Sequence, residues 1–446
     1  MRSAGHYALG ALLVWGSLLP LSFALPQAYA NQARTGIDAE LLYSHVERLA
    51  KTARPAATET EFAAGVYVEN ALRSYGYETA LQPFYYHTYQ KPASLSLAIE
   101  GWERSWAALP LTFGQNGAQT AELVDAGYGR AADFASGAAR GKIAMVKRGE
   151  IPFGEKVRQA AAAGAVAVIV WNDREGEWRA SLGEPLDMSV PVIGLSREEG
   201  QLLRQRALKQ PLRATVKVEG GVTRRHTAYN IIATKKPTEA ATGQRVLILA
   251  HHDSAASSPG ANDNASGVAV MLEVARKLSE SQLDTEVQLV SFGAVTAGQR
   301  GQRAFSESLT EQDRQKIVAA YYVDAVGRSG DVTAFAGRRE AVLATGLLAE
   351  AGAQQSALEV ARAEQQRELA PLTVAGIPAV LVTRQKAAGE ADRAGDVPAT
   401  IEKEQLAEAA QMIFSAVGNI TDTATPAYPI RSGQTTGQGE PEEDFQ

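Results

Sequence analysis

The 446-residue chain contains no cysteine. Disulfides, thiolate metal ligands and a cysteine nucleophile are therefore excluded, so the fold rests on its packed core and any metal must be held by imidazole and carboxylate. Histidine is scarce as well. The chain has six, the last being His252, so no imidazole can come from the rest of the sequence. From Val287 to Ser306 there is neither Asp nor Glu. An excess of positive charge is also missing: 44 basic residues stand against 50 acidic ones, for a net charge of −6. That balance gives no electrostatic ground for binding nucleic acid or an anionic membrane, and neither is expected as a partner.

With 45% hydrophobic and 21% charged residues, the composition is that of an ordinary globular protein of two or three domains, with no internal repeat. Residues 1–30 read as a signal peptide. Arg2 supplies a positive start, Ala8 to Leu25 is largely apolar but interrupted by Gly16, Ser17 and Pro20, and Ala28-Tyr29-Ala30 is an A-x-A cleavage site. A secreted or extracytoplasmic chain is expected, with no membrane attachment after cleavage. Ile37 to Tyr77 carries apolar residues at helical spacing and Thr79 to Tyr89 alternates like a strand. Beyond Thr421 the chain offers almost nothing apolar to bury, and 422–446 is expected to be a disordered tail.

The stretch Ala250 to Gly267, AHHDSAASSPGANDNASG, is the most informative. It follows the apolar run Val246 to Leu249, a buried parallel strand by its composition, and leads into a helix with apolar residues at 268, 271, 272 and 275. Chemistry at a strand's carboxyl end is where open α/β sheets bind ligands. His251, Asp253 and Asp263 form a donor set suited to zinc, although the loop alone also fits a polar turn rich in Asn, Ser and Gly. Later strands at 287–293, 320–324 and 379–382 alternate with helices near 302–319 and at 404–417. This order predicts an α/β fold: a mixed, mostly parallel sheet with helices on both faces.

H-x-D followed about ten residues later by G-A-N-D-N-A-S-G resembles the signature of the M28 family of co-catalytic zinc aminopeptidases. The resemblance implies that His251 ligates one zinc, that Asp263 bridges two and is followed by a cis peptide bond, and that Asp253 supports the histidine. Val323-Asp324-Ala325-Val326-Gly327 is similar to the family's N-x-D-x-x-G and offers Asp324 as a further ligand. Gly141 to Asp173, with its K-R-G…F…K…G-A-x-A-V-I-V pattern, resembles the protease-associated (PA) domain. The implied organisation is a peptidase-like domain over 31–93 and 224–421, interrupted by a PA insertion at 94–223. Lys147 and Arg148 within it read as solvated charges beside a turn, and His45 and His87 as non-ligands.

Three departures from the family pattern bear on function. The family's Glu-Glu pair, a general base and a ligand, is replaced by Val295-Thr296. Its last histidine ligand is Asp392 here, in D-R-A-G-D, with Arg393 beside it. The S-D-H-like segment before G-I-P-A is Arg367-Glu368-Leu369. His251, Asp263, Asp324 and Asp392 remain as candidate metal residues, with no secure catalytic residue. Valine cannot carry a proton. Loss of such a group costs roughly two to four orders of magnitude in rate. The sequence therefore predicts a secreted pseudopeptidase with one zinc ion or none that still accepts peptide or protein N-termini. The alternative is an active zinc aminopeptidase using one metal or a displaced base such as Glu390.

Overall fold

The computed structural model describes residues 36–176, 178–238, 241–337, 341–355, 363–384, 395–424 and 427–428. Residues 1–30, read above as a signal peptide, and Glu390, Asp392 and Arg393 lie outside the described residues. The first sheet has eight strands: β1 (Glu78–Gln90), β2 (Val222–Lys235), β3 (Arg245–His251), β4 (Glu286–Phe292), β5 (Ile317–Val323), β6 (Val332–Ala336), β7 (Gln354–Gln355) and β8 (Ala379–Arg384). Their spatial order is β1-β2-β4-β3-β5-β8-β6-β7. The central four, β4-β3-β5-β8, are parallel, while β1, β2 and β6 join antiparallel. The mixed, mostly parallel sheet expected from the sequence is thus present.

A parallel centre must be covered on both faces, which is why these strands read as unbroken apolar runs. Along β3, Val246, Ile248 and Ala250 belong to a core with α1 (Ala39–Leu49), α2 (Glu59–Ser74), α3 (Gly267–Ser279) and α6 (Lys403–Thr421). Leu247 and Leu249 turn to the opposite core, with Phe305, Leu369 and Leu372. Asp38 caps α1 and Thr58 caps α2, each side chain accepting a backbone N–H of the first turn. The helix expected near 302–319 is instead two, α4 (Arg300–Ser308) and α5 (Glu311–Lys316). Leu309 is extended and Thr310 forms a capping box with Asp313, which ends one helix and starts the next, so β5 begins already at Ile317.

The second sheet is entered and left through the ribbon β1–β2. Its thirteen paired positions run from Glu78↔Thr234 to Gln90↔Val222. The chain then forms strands at Ser94–Ile99, Leu109–Thr112, Gly117–Asp125, Ile143–Lys147, Ala167–Trp171, Ala180–Ser181, Val192–Leu195 and Arg213–Glu219. Lys147 lies over the rings of Tyr128 and Trp171, and Arg148 donates to Asn172. Tyr428 is half-buried against the first core and exchanges backbone hydrogen bonds with the Gln244 amide, because its ring supplies the apolar surface that the rest of the tail lacks. No helix among the described residues is long and apolar enough to cross a membrane.

Gly267 begins α3 where helix and sheet touch. A Cβ there would lie 2.3 Å from the Val323 carbonyl oxygen and 2.3 Å from Asn264 Oδ1. The first is backbone in the sheet and the second is a buried amide held by hydrogen bonds at both of its ends, so neither can yield cheaply. Gly267→Ala is expected to lower the unfolding free energy by roughly 1–3 kcal/mol, as overpacking does. Denaturant melts of the two proteins check this, and equal stability would contradict the close approach.

Candidate metal centre

His251, Asp253, Asp263, Thr296 and Asp324 lie at the carboxyl ends of β3, β4 and β5 or in the loops that follow them. His251 is the last residue of β3 and is 2% exposed. Its Nε2 lies 3.2 Å from Asp263 Oδ1 and 3.5 Å from Asp324 Oδ2. One donor atom from each of the three lies within 4.8 Å of the others. Asp392 lies outside the described residues. Val295 is half-buried against the apolar cluster around Phe292 and Phe305 and presents no acid or base.

The loop that carries Asp263 is held from three sides. The Asp263–Asn264 peptide bond is cis, as the resemblance implies. Asn264 Nδ2 donates to the Val323 carbonyl at 2.9 Å, and its Oδ1 accepts from Gly267 N at 2.9 Å and Ala325 N at 3.3 Å. Asn262 Oδ1 accepts from Gly327 N at 2.8 Å, so the loop is tied directly to the turn that presents Asp324. Asp396 closes the third side, accepting from Asn262 N at 2.7 Å and Asp263 N at 3.0 Å.

Asp253, fully buried, fixes the imidazole. Its Oδ1 lies 3.1 Å from His251 Nδ1, which leaves Nε2 for the two other carboxylates. Its Oδ2 accepts two bonds from one residue, Thr296 N at 2.8 Å and Thr296 Oγ1 at 2.6 Å. The hydroxyl at the family's ligand position is thus committed to the histidine's support. Burial alone would raise the Asp253 pKa, but the bonds from His251 and Thr296 outweigh it and hold the carboxyl at about 2. Burial likewise opposes charge on His251, yet Asp253, Asp263 and Asp324 together push its pKa well above the ordinary value. The three carboxylates thus favour the protonated imidazole over the neutral one.

Two further charged groups carry no signal in the sequence. Arg54, 2% exposed, donates from Nε to the His252 carbonyl at 2.7 Å, from Nη1 to the Leu49 carbonyl at 2.8 Å, and from Nη2 to the Gly260 carbonyl at 3.0 Å. Burial lowers its pKa to about 10, while Asp253, Asp396 and Asp263 oppose that fall. Among the described residues Arg54 is thus a buried cation beside these acids. Glu61, on α2, accepts from Ala294 N at 2.6 Å and from Ala57 N, fixing the bend after β4 where Ala294 has φ 50°. His45 and His87 stand outside the cluster: His45 bonds the Tyr67 hydroxyl at 2.6 Å, and His87 packs edge-on against Phe113.

The donor set fits zinc: one imidazole with its tautomer fixed by a carboxylate, and two carboxylates converging on the free nitrogen. The position is at the carboxyl end of the sheet's central strands, with the Asp263 side chain 53% exposed and so open to a ligand.

Residues 230–417 match the model of peptidase family M28, and residues 119–203 match the PA domain. Aminopeptidase YwaD of Bacillus subtilis is 32% identical over 337 residues, covering 72% of this chain and 70% of that protein. An aminopeptidase of Pseudomonas aeruginosa is 32% identical over 297 residues, 61% of this chain and 54% of that protein. Among solved structures, the aminopeptidase from Aneurinibacillus sp. strain AM-1 superposes with a TM-score of 0.60 at 32% identity, covering 90% of this chain and 98% of its own. BSAP, a zinc aminopeptidase from Bacillus subtilis, gives 0.52 at 27% identity, covering 87% and 96%.

Glu61 generates a test of the site's electrostatics. Burial raises its pKa to about 7, aided by Asp253 and opposed by the two backbone donors. Between its unfolded value near 4.5 and about 7 the folded state binds the extra proton, so this group's contribution to stability falls as pH rises through that window. Unfolding free energies at pH 4.5 and 8 are expected to differ between the native protein and Glu61→Gln by on the order of 2 kcal/mol, the native protein losing more at high pH. Parallel pH profiles for the two proteins would contradict a raised Glu61.

Proposed function

The chain belongs to peptidase family M28, and from that premise we propose that it is an exported pseudopeptidase that holds a single zinc ion and binds peptide N-termini without cleaving them at a useful rate. The observation that carries this reading is the geometry at 295–296. Peptide hydrolysis at a metal needs a carboxylate to take the proton from the attacking water and pass it to the leaving amine. Val295 stands where the family has that base, and no acidic residue occurs between Val287 and Ser306. Glu61 is no ready substitute, since both of its oxygens accept backbone N–H bonds.

His251, Asp263 and Asp324 would hold the zinc, with Asp253 and Thr296 keeping the imidazole in place. Bound there, the ion would act as a Lewis acid toward an oxygen ligand. Only one point of convergence is built by the described residues, because the Thr296 hydroxyl is engaged with Asp253 and not turned toward a second ion. The carboxylates that face the cleft would receive a peptide's protonated α-amino group by charge-assisted hydrogen bonds.

Hydrolysis of a panel of aminoacyl-nitroanilides by the zinc-loaded mature chain tests the reading. Turnover is expected to be absent or roughly two to four orders of magnitude below that of an active relative. Val295→Glu, Thr296→Glu and Asp392→His introduced together should raise both zinc occupancy and turnover. Native turnover in the ordinary enzyme range, about 1–10³ s⁻¹, would return the chain to the active aminopeptidases.

A further inference from the structure

Where the second sheet leans on the first, a cavity of about 230 Å³ opens between the two, walled by β1, by α4 and by Phe113 and the turn Gly183–Pro185. Arg300 and Arg303 of α4 both line it. They are three residues apart and therefore lie on one helix face. Among the described residues neither has an ion pair; Arg300 Nε donates to the Ala297 carbonyl at 3.2 Å, and its guanidinium lies 5.7 Å from the Tyr86 ring centroid. Glu184, across the cavity, is already paired with Arg158. Glu307 is the remaining lining acid, which leaves the walls with a positive excess.

Two guanidiniums facing a small, aromatic-walled space make a donor array with no acceptor of matching geometry. Guanidinium binds carboxylate in bidentate fashion, and the cation–π contact at 5.7 Å keeps the Arg300 guanidinium beside the Tyr86 ring. The volume lies below the roughly 300–1,000 Å³ of pockets that take whole drug-sized ligands, so it suits the end of a chain. Tyr86 and Phe113 offer that end an apolar surface. We propose that this cavity binds the terminal α-carboxylate of a short peptide, with Arg300 and Arg303 as the donors.

The cavity adjoins the metal centre. Arg300 follows Thr296 by four residues, at most about 14 Å of extended chain, and the Thr296 hydroxyl bonds Asp253. Tyr86 reports the same nearness: burial pushes its pKa up to about 12, with Glu61 and Asp253 adding to the rise and Arg300 opposing it. An extended peptide of roughly four to six residues would span from the acids to the arginines. That spanning role rests on the peptide N-terminus reading above; the carboxylate site itself does not.

The test uses calorimetry on the full mature chain with acetyl-Ala-Ala-Phe as the free acid and as the C-terminal amide, probes whose blocked amino end cannot enter the acidic cluster as a cation. The acid is expected to bind roughly tenfold or more tightly than the amide, with an affinity that falls as salt is added. Arg300→Gln combined with Arg303→Gln should abolish the difference, and His251→Ala should leave it intact. If the double variant does not fold, Arg303→Gln alone, an exposed position, should at least halve the preference. Equal affinities, no binding of the acid at about millimolar concentration, or a preference that survives the arginine substitutions would overturn the proposal. A free amino terminus that gives no gain over the acetylated acid would sink the N-terminus reading and leave this one standing.

Discussion

The buried carboxylate of Asp253 is the group on which the site depends. It is 0% exposed and held from both sides, by the His251 imidazole on one oxygen and by the Thr296 amide and hydroxyl on the other. An ionised carboxylate in such a place survives only when its lone pairs are satisfied by strong donors. The arrangement therefore couples the ends of β3 and β4. Glu61 extends the coupling to α2 through the Ala294 amide, and Arg54 extends it to the turn before α2 through carbonyls at 252 and 260. The position of His251 is thus fixed by contributions from distant parts of the chain, while the cleft side of Asp263 stays open.

On the proposed reading, this lets the centre do without a ligand at position 296 and still hold its histidine. In a two-metal peptidase the residue at position 296 would face the cleft as a ligand. Threonine is too short for that, yet its hydroxyl and amide give Asp253 two donors, so the histidine keeps its support. The raised pKa of His251 completes the account, since an imidazolium among Asp253, Asp263 and Asp324 balances the charge that a cation would otherwise neutralise. Three acids around one imidazole are then tolerable, with Arg54 adding a second positive charge.

Much of this was legible in the sequence. The apolar run of β3 and the helical spacing after Gly267 placed the loop at a strand's carboxyl end, and the chain order of strands and helices gave the mixed sheet. The family's motif located His251, Asp263 and Asp324, which the fold brings within 4.8 Å of one another. Arg54 and Glu61 were not legible, because a lone arginine or glutamate before or within a helix looks like any solvated charge until burial is known. The break between α4 and α5 was missed for another reason: residues 310–316 are all polar and carry no apolar spacing to mark a new helix, so only the Thr310–Asp313 capping box reveals the stop. The role of Thr296 was hidden too, since its partner lies 43 residues earlier.

The account's central claim is that the chain builds one cation site and not two. Zinc titration of the metal-stripped mature chain, followed by native mass spectrometry of the ions retained, addresses it most directly. The account predicts a single equivalent per chain, lost on His251→Ala, with no second ion retained as zinc is raised. Two ions held per chain with comparable affinity would contradict it.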